Sequence, residues 1–162
     1  MIHASPPWDL AGGEGLAVAK QLFGEAVNHL APFQSFETIF EGEPCGVLRL
    51  GDRNFRVSYS GPLDAIVASL SRDVWVQQFP WLSAVPLSPR LLTTANIQIT
   101  TRPPHRWVNL PHNRAVPVQI DGVSILLWNR DRQGQTHLEG HSATSTLNAL
   151  TRILNQEDYS TI

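Results

Sequence analysis

The sequence predicts an α+β fold in which helices pack on an antiparallel sheet. Two blocks, at about 36–60 and 92–140, alternate apolar and polar residues with the period of half-buried strands. Apolar residues spaced three and four positions apart occur before, between and after these blocks, which indicates N-terminal, central and C-terminal helices. Short turn signals join the alternating runs, and strands and helices do not alternate regularly. Hairpins are therefore favoured over a parallel sheet.

The composition is that of one folded domain. The chain has 162 residues, of which 42% are hydrophobic and 16% charged, and it carries five Trp and six Phe that can anchor a core. We therefore expect a single α+β domain over 1–162. Prolines and glycines interrupt any regular pattern at the start, so residues 1–13 are expected to form an irregular lead-in. We find no repeat at a fixed period.

In the first half, a helix is expected from Leu16 to Leu30, where apolar residues share one face until Pro32 ends it. Three strands joined by short turns follow, and Pro62 suits the first position of a second helix. The segment 73–80 fits either a helix or a strand. The proline-rich stretch after it is expected to be an irregular connection.

In the second half, a strand is expected over 92–101 and an irregular segment over 102–115. Asp121-Gly122 is a strong hairpin signal between two apolar runs, and the next turn carries Arg130-Asp131-Arg132, which we expect to be exposed to solvent. A returning strand and a final helix, capped by Ser142 or Thr144, complete the chain.

The first candidate site is a cluster of two histidines and a glutamate on the last expected strand. Side chains alternate faces along a strand, so His137, Glu139 and His141 would project from the same side. Two imidazoles and one carboxylate suit a divalent metal such as zinc or iron. The alternative is a polar strip facing solvent, which needs no metal or other cofactor and which we favour.

The second candidate site is an arginine-rich loop that contains no acidic residue. Guanidinium groups bind carboxylate or phosphate with two parallel hydrogen bonds, and a tryptophan can anchor or stack. This loop would bind an anion or an acidic partner. The alternative is a surface loop whose charges pair with carboxylates elsewhere. The residues concerned are Arg102, His105, Arg106, Trp107, His112 and Arg114.

Charge and cysteine content limit the classes of partner and compartment. The formal net charge is −2, which disfavours nucleic acid and anionic membranes as partners. Cys45 is the single cysteine, so a disulfide framework is excluded, and we expect it to be buried and unreactive. The N-terminus lacks a secretory signal and no apolar run is long enough to span a membrane. A cytoplasmic location is therefore expected.

Two functions follow from these patterns. The first is a small non-catalytic protein-binding module, such as an inhibitor, an immunity-type protein, an adaptor or a secretion chaperone, since arginine and tryptophan are enriched at binding hot spots. Its partner would be another protein, possibly an acidic one, and exposed strands could pair two copies into a homodimer. The alternative is a small enzyme that uses His137, Glu139 and His141, with or without a metal.

Overall fold

The computed structural model describes residues 6–132 and 134–160. These residues form two antiparallel five-stranded sheets and four α-helices, which confirms the predicted α+β class. They divide into two compact units, one ending at Pro80 and one beginning at Trp81. The two predicted blocks therefore lie in separate sheets, one in each unit. The single domain over the whole chain stays a prediction.

The N-terminal unit contains one sheet with the strand order β2-β3-β4-β1-β5. Its core is formed by apolar residues of the strands and of the helices that cover them. The elements in chain order are β1 (Trp8–Ala11), α1 (Gly15–Phe23), a 3-10 helix (Glu25–His29), β2 (Ser35–Phe40), β3 (Glu43–Arg49), β4 (Phe55–Ser58), α2 (Leu63–Ala68) and β5 (Trp75–Gln78).

Strand β1 corrects the expectation of an irregular lead-in over residues 1–13. Trp8–Ala11 is an inner strand that pairs with β4 on one side and β5 on the other. On β4, Arg56 donates from Nε to Oδ1 of Asp9 at 2.9 Å, an ion pair between directly opposed residues. A four-residue strand between prolines and glycines gives too short a pattern to recognise, and its pairing partners determine it. Residues 1–5 lie outside the described residues.

The first helix is shorter than its apolar pattern predicts. Helix α1 ends at Phe23, because Gly24 adopts a φ of 94°, and a 3-10 helix continues the chain. At the other end, a Cβ added to Gly15 would overlap the carbonyl oxygen of Arg53. Helix α1 therefore begins at a residue without a side chain because the backbone of the β3–β4 turn occupies that space.

The C-terminal unit contains the second sheet, with the strand order β6-β10-β9-β8-β7. Apolar residues of β8 and β9 form its core with one side of α4. In the described part of the chain, no helix has the length and apolar character needed to cross a membrane. The elements are β6 (Leu82–Pro86), α3 (Pro89–Thr94), β7 (Ile99–Thr100), β8 (Arg114–Ile120), β9 (Val123–Arg132), β10 (Gln135–Ala143) and α4 (Thr144–Ser160).

The strand expected over 92–101 is wrong for most of its length, since helix α3 covers its first three residues and residues 95–98 have no regular structure. Ser88 caps this helix by accepting a hydrogen bond from the backbone N–H of Leu91 at 3.3 Å, and Pro89 occupies its first turn. Only Ile99–Thr100 of the expected strand pairs, with β8. The proline-rich stretch before it also contains β6, so it is not an irregular connection throughout.

The two units share an order of elements that the sequence does not reveal as a repeat. In each unit, a strand and a helix precede a meander, and the last strand of the meander pairs with that first strand. This closing pair is β1 with β4 in the N-terminal unit and β6 with β10 in the C-terminal unit. Antiparallel pairing between strands distant in sequence therefore completes both sheets.

Replacing Gly15 by Ala should destabilise the protein, because the added methyl group overlaps a backbone carbonyl that cannot rotate away. We expect a loss of about 1–3 kcal/mol in the free energy of unfolding, as for other overpacked sites. Gly51→Ala is the matched control, since its Cβ would meet its nearest neighbour at 4.0 Å. Urea unfolding measures both variants, and equal stabilities would contradict the close approach.

Candidate functional site

The β9–β10 hairpin brings the three residues of the expected cluster onto one face. Strand β10 is extended from Gln135 to Ala143. The carboxylate of Glu139 lies between the two imidazoles, with Oε1 3.2 Å from Nε2 of His141 and Oε2 3.8 Å from Nε2 of His137. The predicted same-face arrangement is thus present, but Glu139 and His141 are buried rather than directed to solvent.

The carboxylate also faces an arginine that was expected in an exposed turn. Arg130 lies in β9 and is fully buried, and its Nη1 donates to both oxygens of Glu139 at 3.1 and 3.3 Å. Its guanidinium lies over the ring of Trp128, 4.6 Å from the centroid. Arg132, which is partly exposed, adds a longer contact of 3.6 Å. We call Arg130, Glu139 and His141 the buried network.

Strand register is the signal that could have identified Arg130. Arg130 is opposite His137 in the β9–β10 ladder, and Trp128 is opposite Glu139. Directly opposed residues share a face of the sheet, so an apolar Trp128 on that face marks it as buried. Gly140 lets the strand stay regular beside Leu87, because it has no side chain. A Cβ added to Gly140 would lie 2.6 Å from Cδ1 of Leu87.

The network holds the glutamate in its ionised form. Burial raises the pKa of Glu139, but the hydrogen bond from His141 and the positive charge of Arg130 outweigh it and lower the pKa from 4.5 to about 2. A carboxylate with this pKa is a weak base at neutral pH. The arrangement is therefore suited to holding strands together rather than to accepting a proton from a substrate.

The position of Arg130 affects whether the carboxylate of Glu139 could bind a metal ion. Both oxygens of Glu139 are within hydrogen-bonding distance of Arg130, so a cation at the carboxylate would meet a guanidinium. Within residues 6–132 and 134–160, no group of three His, Cys, Asp or Glu side chains has the geometry to hold a metal ion. A metal bound by His137, Glu139 and His141 stays a prediction that this arrangement does not favour.

The second candidate site is the segment between β7 and β8 together with the first residue of β8, which we call the arginine loop (residues 101–114). Arg102, Arg106 and Arg114 are exposed. In the part of the chain that the structure describes, none of the three forms an ion pair. Trp107 is half-buried and packs against the core of the C-terminal unit, as an anchor would. The other two residues predicted here are a half-buried His105 and an exposed His112.

Hydrogen bonds brace both ends of the arginine loop. At its start, the backbone N–H of His105 donates to the carbonyl of Arg102 at 2.9 Å. At its end, Asn113 donates its backbone N–H to the carbonyl of Asn129 at 2.7 Å, and the Asn129 side chain donates to the carbonyl of Leu110 at 2.7 Å. Because Asn129 directly precedes Arg130 in β9, the strand that holds the buried network also positions the loop.

A groove of about 300 Å³ lies beside α4 in the same unit. Its lining is mostly apolar, and Asp121 is the one titratable residue in it; neither the buried network nor the arginine loop contributes. The lining residues are Ile120, Asp121, Val123, Ile125, Ser145, Thr146, Ala149, Leu150 and Ile153.

Stability should depend on pH through Glu139. The pKa of this carboxyl is lower in the folded protein than in the unfolded chain, so the pair stabilises the fold fully above about pH 4.5 and this contribution is lost as the pH falls toward 2. The fall from 4.5 to about 2 corresponds to about 3 kcal/mol. In Glu139→Gln, urea unfolding over this pH range should show a flatter dependence, whereas exposed Glu43→Gln should behave as the wild type. An unchanged slope in Glu139→Gln would refute the assignment.

Removing one charge of the pair should cost more than removing both. Arg130→Met leaves a buried carboxylate without its cation, and we expect a loss of about 3–5 kcal/mol. In the double variant Arg130→Met/Glu139→Leu, no charge is left unpaired, so most of this stability should return. Thermal and urea unfolding test this. A double variant as unstable as the sum of the two single variants would contradict the ion pair.

Comparisons with known proteins extend the description of the fold. No protein-family profile matches the sequence, and no curated protein matches it. Among solved structures, the chain is similar to glycine cleavage system aminomethyltransferase T from Bartonella henselae, with a TM-score of 0.68 and 15% sequence identity. The similarity covers 92% of this chain and 42% of that one, so the chain spans less than half of its length. At this identity, the likeness shows a shared fold alone.

Proposed function

We propose that the protein is a non-catalytic module that binds an acidic protein through the arginine loop. The observation that carries the proposal is the set of three exposed arginines, Arg102, Arg106 and Arg114, which have no ion pair in the described residues. The sequence contains no Asp or Glu from residue 91 to residue 120. The loop is therefore locally positive on a chain whose net charge is −2.

The chemistry of the loop favours a carboxylate-rich partner. Arginine binds carboxylates with two parallel hydrogen bonds. It is also less strongly hydrated than lysine, so its transfer from water into an interface costs less free energy of hydration. The braces at His105 and Asn113, together with Pro103, Pro104 and Pro111, limit the conformations of the loop. A loop that is already ordered loses less entropy on binding.

The buried network supports a structural rather than a catalytic role for the His137, Glu139 and His141 cluster. The guanidinium of Arg130 donates to the carboxylate of Glu139, and the pKa of Glu139 is far below neutral pH. The similarity to an aminomethyltransferase concerns the fold, and the proposal transfers neither substrate nor activity from that protein. We also propose a cytoplasmic location, since reducing conditions suit a single buried thiol at Cys45.

The test begins with an affinity purification from the native cell and mass spectrometry, followed by calorimetry with the purified partner. Arg102→Ala/Arg106→Ala/Arg114→Ala should weaken binding by at least about tenfold, or about 1.4 kcal/mol, and added salt should weaken wild-type binding. The matched control is a second triple variant at exposed arginines with the same change in net charge, Arg53→Ala/Arg90→Ala/Arg152→Ala.

Three results would overturn the proposal. The first is equal binding by the two triple variants. The second is a partner surface without acidic residues at the contact. The third is salt-sensitive binding of a labelled oligonucleotide that the arginine-loop variant abolishes, since this would make a nucleic acid the partner.

A further inference from the structure

Strand β5 is an edge of the N-terminal sheet, and its outward hydrogen-bonding groups can be assigned. It pairs with β1 along its inner side. Just before it, the carbonyl of Asp73 accepts from the N–H of Glu14 at 3.0 Å, so this carbonyl points to the inner side of β5, toward the chain that follows β1. Because these directions alternate along an antiparallel strand, the N–H and C=O groups of Val76 and Gln78 point away from β1.

This edge carries neither a charge nor a proline, two of the features that prevent edge strands from pairing with another chain. Its sequence, Trp75–Gln78, contains no charged residue and no proline, and the side chains of Trp75 and Gln77 are exposed on one face. The other three edge strands carry such a feature: β2 contains Glu37, β6 contains Pro86, and β7 is two residues long.

We propose that β5 pairs antiparallel with β5 of a second copy about a two-fold axis at Gln77, which forms a homodimer. In this register Val76 of one copy lies opposite Gln78 of the other, and their outward N–H and C=O groups bond to each other. The two-fold axis generates a second, equivalent pair. Gln77 lies opposite Gln77, and Trp75 lies opposite Phe79, so an aromatic pair forms on each side. No like charges meet, because the strand is neutral.

The neighbouring register is less favourable for a reason visible in the backbone. An axis at Val76 would place Val74 of one copy opposite Gln78 of the other. The N–H of Val74 would then have to bond across the interface. That N–H already donates to the carbonyl of Arg72 at 2.9 Å. The axis at Gln77 leaves this bond intact, and it uses only groups that the N-terminal sheet does not use.

Disulfide trapping tests the register. Gln77 would be a non-hydrogen-bonded pair with itself, with Cα atoms about 4.5 Å apart, within the range that a disulfide spans. Under mild oxidation, Gln77→Cys should give a covalent dimer on a non-reducing gel, and the wild type should not, since Cys45 is buried. Asp52→Cys, at an exposed turn, is the matched control. Equal crosslinking of Gln77→Cys and Asp52→Cys would overturn the proposal.

Light scattering gives a second, independent readout. The wild type should have twice the 18.0 kDa mass of the chain at tens of micromolar concentration. Gln77→Lys places two ammonium groups at the axis and should give a monomer with unchanged circular dichroism, whereas Gln77→Thr should remain a dimer. A monomeric wild type would contradict the proposal. The arginine-loop triple variant should stay dimeric, so this test is separate from that of the proposed function.

Discussion

The arrangement of β9 and β10 in the C-terminal unit depends on the buried ion pair between Arg130 and Glu139. Two charges removed from water are tolerated in an interior only when each one has its partner and hydrogen bonds at short distance. The distances of 3.1 and 3.3 Å, the Trp128 ring and the contact from His141 meet that condition. A cluster that resembles a metal or catalytic site in sequence is therefore engaged in holding β9 and β10 together.

The same strand connects this pair to the proposed binding surface. Asn129 precedes Arg130 and is bonded to both Asn113 and Leu110 of the arginine loop. A rigid β9 therefore fixes the end of the loop while leaving its arginines exposed. Rigid strands commonly position the loops that bind partners, and this arrangement uses one strand for both purposes.

The sequence was sufficient to predict elements whose signals are local. Alternation and the Asp121-Gly122 turn predict the β8–β9 hairpin, and apolar spacing predicts α4. Strand β1 was not predictable in this way, because its partners β4 and β5 lie far away in the sequence. The burial of Arg130 was not predictable either, because it depends on the register of the β9–β10 hairpin. In the sequence, Arg130 stands next to two other charged residues, Asp131 and Arg132. Residues that face solvent show the same pattern. Only the register that places Arg130 opposite His137 shows otherwise.

The most direct measurement is a carbon-13 NMR titration of the side-chain carboxyl of Glu139 in the folded protein. An ionised carboxylate held by Arg130 predicts a chemical shift that stays constant from neutral pH down to about pH 3. A midpoint for Glu139 at or above 4.5 would mean that the carboxyl lacks its cationic partner, and the account of the buried network would be wrong.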